Sequence, residues 1–177
     1  MLRKILIGIV ILIAIPFIAA LFVDKDYAVE REIVISRPKA EVFEYIRYLK
    51  NQDYFSKWAM MDPNMKKSYT GTDGTVGFVS AWDSDKDDVG KGEQEIVKME
   101  EGERIDYELR FLVPFESTSP AYMTTESISD NETKVAWGFA GHMAYPMNLL
   151  IPLMSFEKII GDDLATGLGN LKVELEK

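Results

Sequence analysis

The chain has no cysteine, one histidine and a deficit of positive charge. Without cysteine there is no thiol nucleophile, no Cys-ligated zinc, no redox switch and no lipid-modified lipoprotein signal. The single histidine, His142, excludes a multi-histidine metal site. The 20 basic residues include Arg3 and Lys4, which leaves 18 against 29 acidic side chains over residues 24–177, a net charge of −11. That sign excludes a nucleic-acid binder and repels anionic headgroups, so the open partners are neutral, cationic or greasy small molecules, or another protein. The chain also lacks internal repeats and low-complexity tracts.

What it has instead is one long uncharged run. Ile5 to Val23 is nineteen residues, fourteen of them Ile, Leu, Val or Phe, bounded by Arg3-Lys4 and by Asp24-Lys25-Asp26. As a helix it reaches roughly 28 Å, close to the roughly 30 Å hydrocarbon core of a bilayer. At about −0.3 to −0.6 kcal/mol per apolar residue, insertion gains at most about 4 to 8 kcal/mol. A cleaved signal would want a shorter run and small residues at both cleavage positions, yet Ile18 stands at −3 for a cut after Ala20. A core helix would want one polar face, and this run is apolar all round. The expectation is a single-pass anchor. Arg3 and Lys4 hold the N-terminus in the cytoplasm, and the domain lies outside.

Residues 1–27 thus read as anchor and short linker, and 28–177 as one domain, long enough to bury a core without a disulfide or metal staple. Ala28 to Ser36 alternates, with Val29, Ile33 and Ile35 on one face and Arg31 interrupting it. Pro38 opens a helix that carries Val42, Phe43, Ile46 and Leu49, and a second short helix covers Asn51 to Trp58. From Lys66 to Met143 about six strands follow, separated by turn signals. Their apolar faces read Val76-Phe78-Trp82, then Ile105-Tyr107-Leu109-Phe111-Val113, then Pro120-Tyr122-Thr124-Ile128, then Val135-Trp137-Phe139-Met143. After Pro146 the period returns to helix, with Leu149, Leu153, Phe156, Ile160, Leu164, Leu168, Leu171 and Leu175 in one stripe. Gly161, Gly167 and Gly169 in that stripe cost helix propensity, and close approach to the sheet is the compensation. One stripe cannot cover both faces of such a sheet. The expected fold is α+β, a curved antiparallel sheet wrapped around the C-terminal helix, with a cavity where the two diverge.

Several pieces in order carry a resemblance. They are Ile33-Val34-Ile35-Ser36-Arg37-Pro38 leading into Val42-Phe43-Glu44-Tyr45-Ile46, then Phe55-Ser56-Lys57-Trp58, Trp82-Asp83 and Val89-Gly90-Lys91-Gly92. Glu103 to Leu109, Thr133 to Trp137 and Gly167 to Lys172 complete the set. Over 28–175 the chain resembles the START-like, helix-grip (SRPBCC) superfamily, in particular its polyketide cyclase/dehydrase-like branch. The resemblance implies a helix-grip fold and a hydrophobic ligand such as a lipid, sterol or polyketide between sheet and helix. It brings no catalytic motif with it, and a shared fold does not give a shared activity.

The candidate cavity wall is Trp82, Tyr107, Phe111, Tyr122, Trp137, Phe139, Met143 and Met154, aromatic area with polar handles and adaptable thioethers. No cofactor and no metal are expected. Asp83 to Asp88 resembles a calcium loop but holds Asp88 and Gln94 where that loop wants Gly and Glu. His142 falls on the face opposite Trp137. Asp106, Glu108 and Arg110 read as a solvated face with cross-strand ion pairs. Pro146 to Met154, apolar on more than one side, reads as a buried helix start, a lid, or a patch touching the bilayer beside the anchor. Three functions stay open: a membrane-anchored, non-catalytic carrier of a hydrophobic or amphipathic small molecule or lipid; a cyclase or dehydratase with Tyr107, Tyr122 or Asp106 as proton donor; and a protein-interaction module using the acidic outer face.

Overall fold

The computed structural model describes residues 2–177. The first helix, α1 (Leu2–Ala20), is long and apolar enough to cross a membrane, and of its described side chains only Ala20 is buried. The domain follows: β1 (Asp26–Ile35), α2 (Lys39–Ile46), α3 (Gln52–Phe55), α4 (Lys57–Met61), β2 (Lys66–Thr70), β3 (Val79–Asp83), β4 (Lys91–Glu100), β5 (Arg104–Val113), β6 (Ser117–Ser129) and β7 (Glu132–His142). It ends with α5 (Leu150–Met154) and α6 (Phe156–Leu175). The expected order of one strand, a helical pair, six strands and a C-terminal helix is therefore the observed one, with α3 and α4 dividing the second helix.

The seven strands form one antiparallel sheet in the order β1-β7-β6-β5-β4-β3-β2. Register assigns every side chain to a face. Val29 opposes Phe139, which opposes Ala121, which opposes Tyr107, which opposes Ile96. This concave row, apart from the half-buried Phe139, and its neighbours Ile35, Val135, Met123 and Ile105 are buried. The convex face carries charge. Arg110 reaches Glu93 at 2.5 Å, Glu95 at 2.8 Å and Glu108 at 2.5 Å, the expected solvated ladder.

Helix α6 runs alongside β1 in the same direction. Phe156 stacks on Tyr27 with ring centroids 5.4 Å apart, and Arg31 pairs with Glu157 at 2.7 Å, which is how a charge is tolerated on the apolar face of β1. Twenty residues on, Arg37 Nε donates to the Leu175 carbonyl at 2.7 Å and the Ser36 amide donates to Glu176 at 2.6 Å. Gly161 faces the Arg31 guanidinium, and a Cβ at Gly167 would stand 2.7 Å from Trp137 Cζ3. Close approach explains those two glycines but not Gly169, which has open space around its Cα.

The leucine stripe is broken. Ser155 adopts φ 50°, ψ 47°, a left-handed conformation that ends α5 and re-aims the chain into α6. Leu164, Leu168 and Leu171 are buried against the sheet, while Leu153 and Met154 on α5 are exposed.

The two ends of the sheet differ. At one end α2 and α3 close the grip, with Phe55 edge-on to Trp137 at 5.7 Å and Leu49 buried; α4 runs on from there, its Trp58 6.0 Å from Trp137 and the following Asp62 bonded to Ser84 of the β3–β4 loop. At the other, β1 and β6 begin and β5 and β7 end, and this is the end to which α1 is joined.

Candidate functional site

Burial along the concave face falls from the closed end toward the end where α1 joins. On β5, Ile105 and Tyr107 are buried but Leu109 and Phe111 only half so; on β7, Val135 and Trp137 are buried and Phe139 half so. Trp82 on β3 is half-buried, edge-on to Phe111 at 6.0 Å, its indole N–H donating to the Val89 carbonyl at 3.3 Å. Ser80 and Gln94 lie in the same row as Leu109, also half-buried. The concave face is thus packed solid at its closed end and part-exposed at the end where α1 joins.

Next to the part-exposed surface sit two buried polar groups. Tyr107 Oη and Gln52 Nε2 lie beside each other, and neither completes a well-formed hydrogen bond. Burial drives the Tyr107 phenol far above its ordinary pKa, against the opposing pull of the Gln52 amide beside it. Tyr107 is therefore a neutral hydroxyl, able to donate or accept a hydrogen bond but not to act as a base near neutral pH. At the sheet's other edge, Asp53 accepts from Lys67 at 2.6 Å and from Tyr69 at 3.2 Å, and burial and that carboxylate push Tyr69 up to about 12.

The predicted wall divides accordingly. Trp82, Phe111 and Phe139 share the open concave surface, with Tyr107 at its floor. Trp137 belongs to the packed end, wedged among Phe55, Trp58 and Gly167 rather than lining a void. Met143 lies past the end of β7, its amide bonded to the Lys25 carbonyl at 2.7 Å. Two placements are corrected. Tyr122 is on the convex face: its register partners are Asp106 and Gly138, its ring covers Gly138, its hydroxyl bonds Glu30, and the Arg104 guanidinium stacks over it at 4.0 Å. The inward residues of β6 are Ser119, Ala121, Met123 and Thr125, small where they face the large rings of β5 and β7. Met154 is exposed on α5, because the break at Ser155 turns α5 away from the sheet.

Sequence reading missed Leu109, Gln52 and the half-buried Gln94; in the polar run Asn51-Gln52-Asp53 no signal singled out Gln52. The two best-formed hollows among the described residues, about 420 and 330 Å³, are shallow depressions at the end where α1 joins, lined mainly by convex-face residues such as Ala140 and Pro120 or Arg110 and Leu112. His142 lies at the rim of the larger one, its Nδ1 2.6 Å from Asp26. Ser84 and Lys86 of the acidic loop are engaged with Asp62 and Met61. Among the described residues no group of three or more His, Cys, Asp or Glu side chains could hold a metal.

A family model described as polyketide cyclase/dehydrase and lipid transport matches residues 27–176. The chain belongs to this family. The match spans the whole sheet and α6, and leaves α1 outside. No curated protein matches the chain. Solved structures show the polyketide cyclase/dehydrase fold in several settings. A protein from Nitrosospira multiformis is 18% identical with TM-score 0.60, covering 84% of this chain and 96% of its own. Norcoclaurine synthase from Thalictrum flavum, in complex with dopamine and hydroxybenzaldehyde, is 8% identical with TM-score 0.60, covering 84% and 87%. The Aha1 dimer from Colwellia psychrerythraea is 12% identical with TM-score 0.56, covering 85% and 96%. At such identities the likeness is one of fold. Family and fold together support a ligand-binding domain, and leave the activity to be argued from the concave face.

Proposed function

We propose that this chain is a membrane-anchored carrier or receptor that takes a hydrophobic or amphipathic small molecule into the open part of the concave groove and does no chemistry on it. Residues 1–27 are the anchor and linker and 28–177 the binding domain, with the N-terminus cytoplasmic and the domain outside. The observation that carries the reading is the apolar surface of Trp82, Leu109, Phe111 and Phe139, half-open to solvent, ending at the unpartnered Tyr107 hydroxyl and Gln52 amide. An apolar wall with few convergent polar groups is the usual composition of a small-molecule site. A buried polar atom without a partner is costly, and a ligand oxygen reaching it would recover that cost. Among the described residues the inward-facing positions of the sheet carry no carboxylate pair or histidine beside these side chains; His142 and Asp106 are both on the convex face. A cyclase or dehydratase would have to work with Tyr107 as its sole proton donor, and nothing in the groove would return the proton.

The test is titration of the purified chain with the amphipathic dye 1-anilinonaphthalene-8-sulfonate. Leu109→Trp, which fills the groove, is expected to weaken dye binding about tenfold, or roughly 1.4 kcal/mol. Ile128→Trp, exposed on the convex side, is expected to leave it unchanged. Equal affinity in both variants would overturn the groove as the site. Protease added to intact cells should digest residues 28–177, and protection of the domain would reverse the orientation.

A further inference from the structure

The two most exposed large apolar side chains of the domain lie at one end of it, beside the equally exposed Phe22 of the linker. Phe22 is 85% exposed, Phe115 82% and Leu153 70%, and all three lie at the anchor-side end of the sheet. Phe115 tips the β5–β6 hairpin beside exposed Leu112 and Val113; Leu153 and Met154 are on α5. Strand order sets the spacing. From β1, where the anchor joins, to β5 there are three strand intervals, or about 14 Å at about 4.8 Å each.

A second observation fixes the anchor to this surface. Asn148, fully buried, donates from Nδ2 to the Ala20 carbonyl at 2.7 Å and the Val23 carbonyl at 2.8 Å. Those are carbonyls at the C-terminal end of α1, where a helix leaves acceptors unsatisfied. The turn Met147–Leu149, which leads into α5, is thereby held against the point where α1 ends. A third is the part-exposed concave surface, which lies at this same end. The β3–β4 loop, with exposed Asp85, Asp87 and Asp88, lies at this same end and bounds the apolar surface laterally, beyond the β5–β6 hairpin.

We propose that this end of the domain is seated in the bilayer interface, with α5 and the Phe115 hairpin dipping into the headgroup region on either side of the groove mouth, so that a ligand passes between lipid and groove without crossing water. The proposal rests on α1 spanning the membrane. Bilayer is the occupant the geometry favours over a protein partner, because the clasp at Asn148 holds the apolar surface at the depth where a spanning α1 leaves the hydrocarbon. Apolar side chains at that depth gain by burial at the acyl boundary, whereas the acidic domain as a whole has no electrostatic attraction to lipid.

The absence of native cysteine makes the test direct. Single variants Ile11→Cys, Phe115→Cys, Leu153→Cys and Val173→Cys of the full chain are labelled with an environment-sensitive nitrobenzoxadiazole and reconstituted in phosphatidylcholine vesicles containing spin-labelled lipids. All four positions are exposed, so the core is untouched. The expected result is deep quenching at Ile11, quenching by headgroup-level spin labels at both Phe115 and Leu153 several-fold above that at Val173, and water-like emission at Val173. Quenching at Ile11 with water-like emission at Phe115 and Leu153 would overturn the seating while leaving the anchor intact. Quenching at Leu153 but not Phe115 would also overturn it, since the groove mouth would then tilt away from the lipid. An unquenched Ile11 would remove the anchor and the seating with it.

Discussion

At the scale of single residues, the two glycines that face the sheet and the one that does not make a controlled comparison within one helix. A Cβ at Gly167 would press on Trp137 at 2.7 Å and on the Phe55 carbonyl at 3.5 Å, at the most densely packed point of the grip. Gly167→Val is expected to destabilise by about 1–3 kcal/mol, the usual penalty for overpacking a filled core. Gly169 has nothing within 4 Å, so Gly169→Ala is expected to stabilise by about 0.5–1 kcal/mol through helix propensity alone. Urea denaturation of the two variants checks both signs, and a stabilised Gly167→Val would contradict the packing described. The sequence made close approach legible for glycines as a class, because helix-breaking residues in an apolar stripe need compensation. It could not say which of the three faced the sheet, since that depends on the roll of α6. Tyr122 failed for a related reason. Both faces of β6 alternate plausibly, and the larger aromatic was read as the inner one, whereas the interior between Tyr107 and Phe139 has room only for Ala121.

At the scale of elements, α6 is clasped to β1 at both ends, and the far clasp is titratable. The Ser36 amide donates to Glu176, and this holds the carboxyl below the usual range; Ser84 and the Asn64 amide do the same for Asp62 beneath the acidic loop. A carboxyl depressed in the folded state contributes stability that is complete above its unfolded pKa, about 4, and is lost as pH falls through the folded value. The denaturation midpoint is therefore expected to be flat from about pH 7 to 5 and to fall below about 4. Glu176→Gln should flatten part of that acid limb, and an unchanged limb would mean that the clasp contributes nothing. Strand and helix order were readable because period two and period 3.6 survive in single sequences. The break at Ser155 was not, since the leucine spacing runs through it unbroken. Pro152, third in α5, suits a first turn and marks no end, and serine is not the residue expected at a left-handed position.

At the scale of the whole molecule, the gradient of burial along the sheet and the position of the anchor belong to one arrangement. The core of the domain lies between Val29 and Leu171; among the described side chains of α1 only Ala20 is buried, and the C-terminal end of α1 is otherwise held through Asn148. The domain without residues 1–23 should therefore fold and bind a soluble amphiphile with unchanged affinity. Under the proposed anchoring, tethering would add local concentration: a groove held at the surface would meet membrane-dissolved ligand without the diffusive search of a free protein. Uptake of a fluorescent fatty acid from preloaded vesicles is accordingly expected to be faster for the full chain than for the anchorless domain at equal dye affinity, and stopped-flow transfer measures it. Equal transfer rates would mean that the groove takes its ligand from water, and that the anchor only keeps the protein in place.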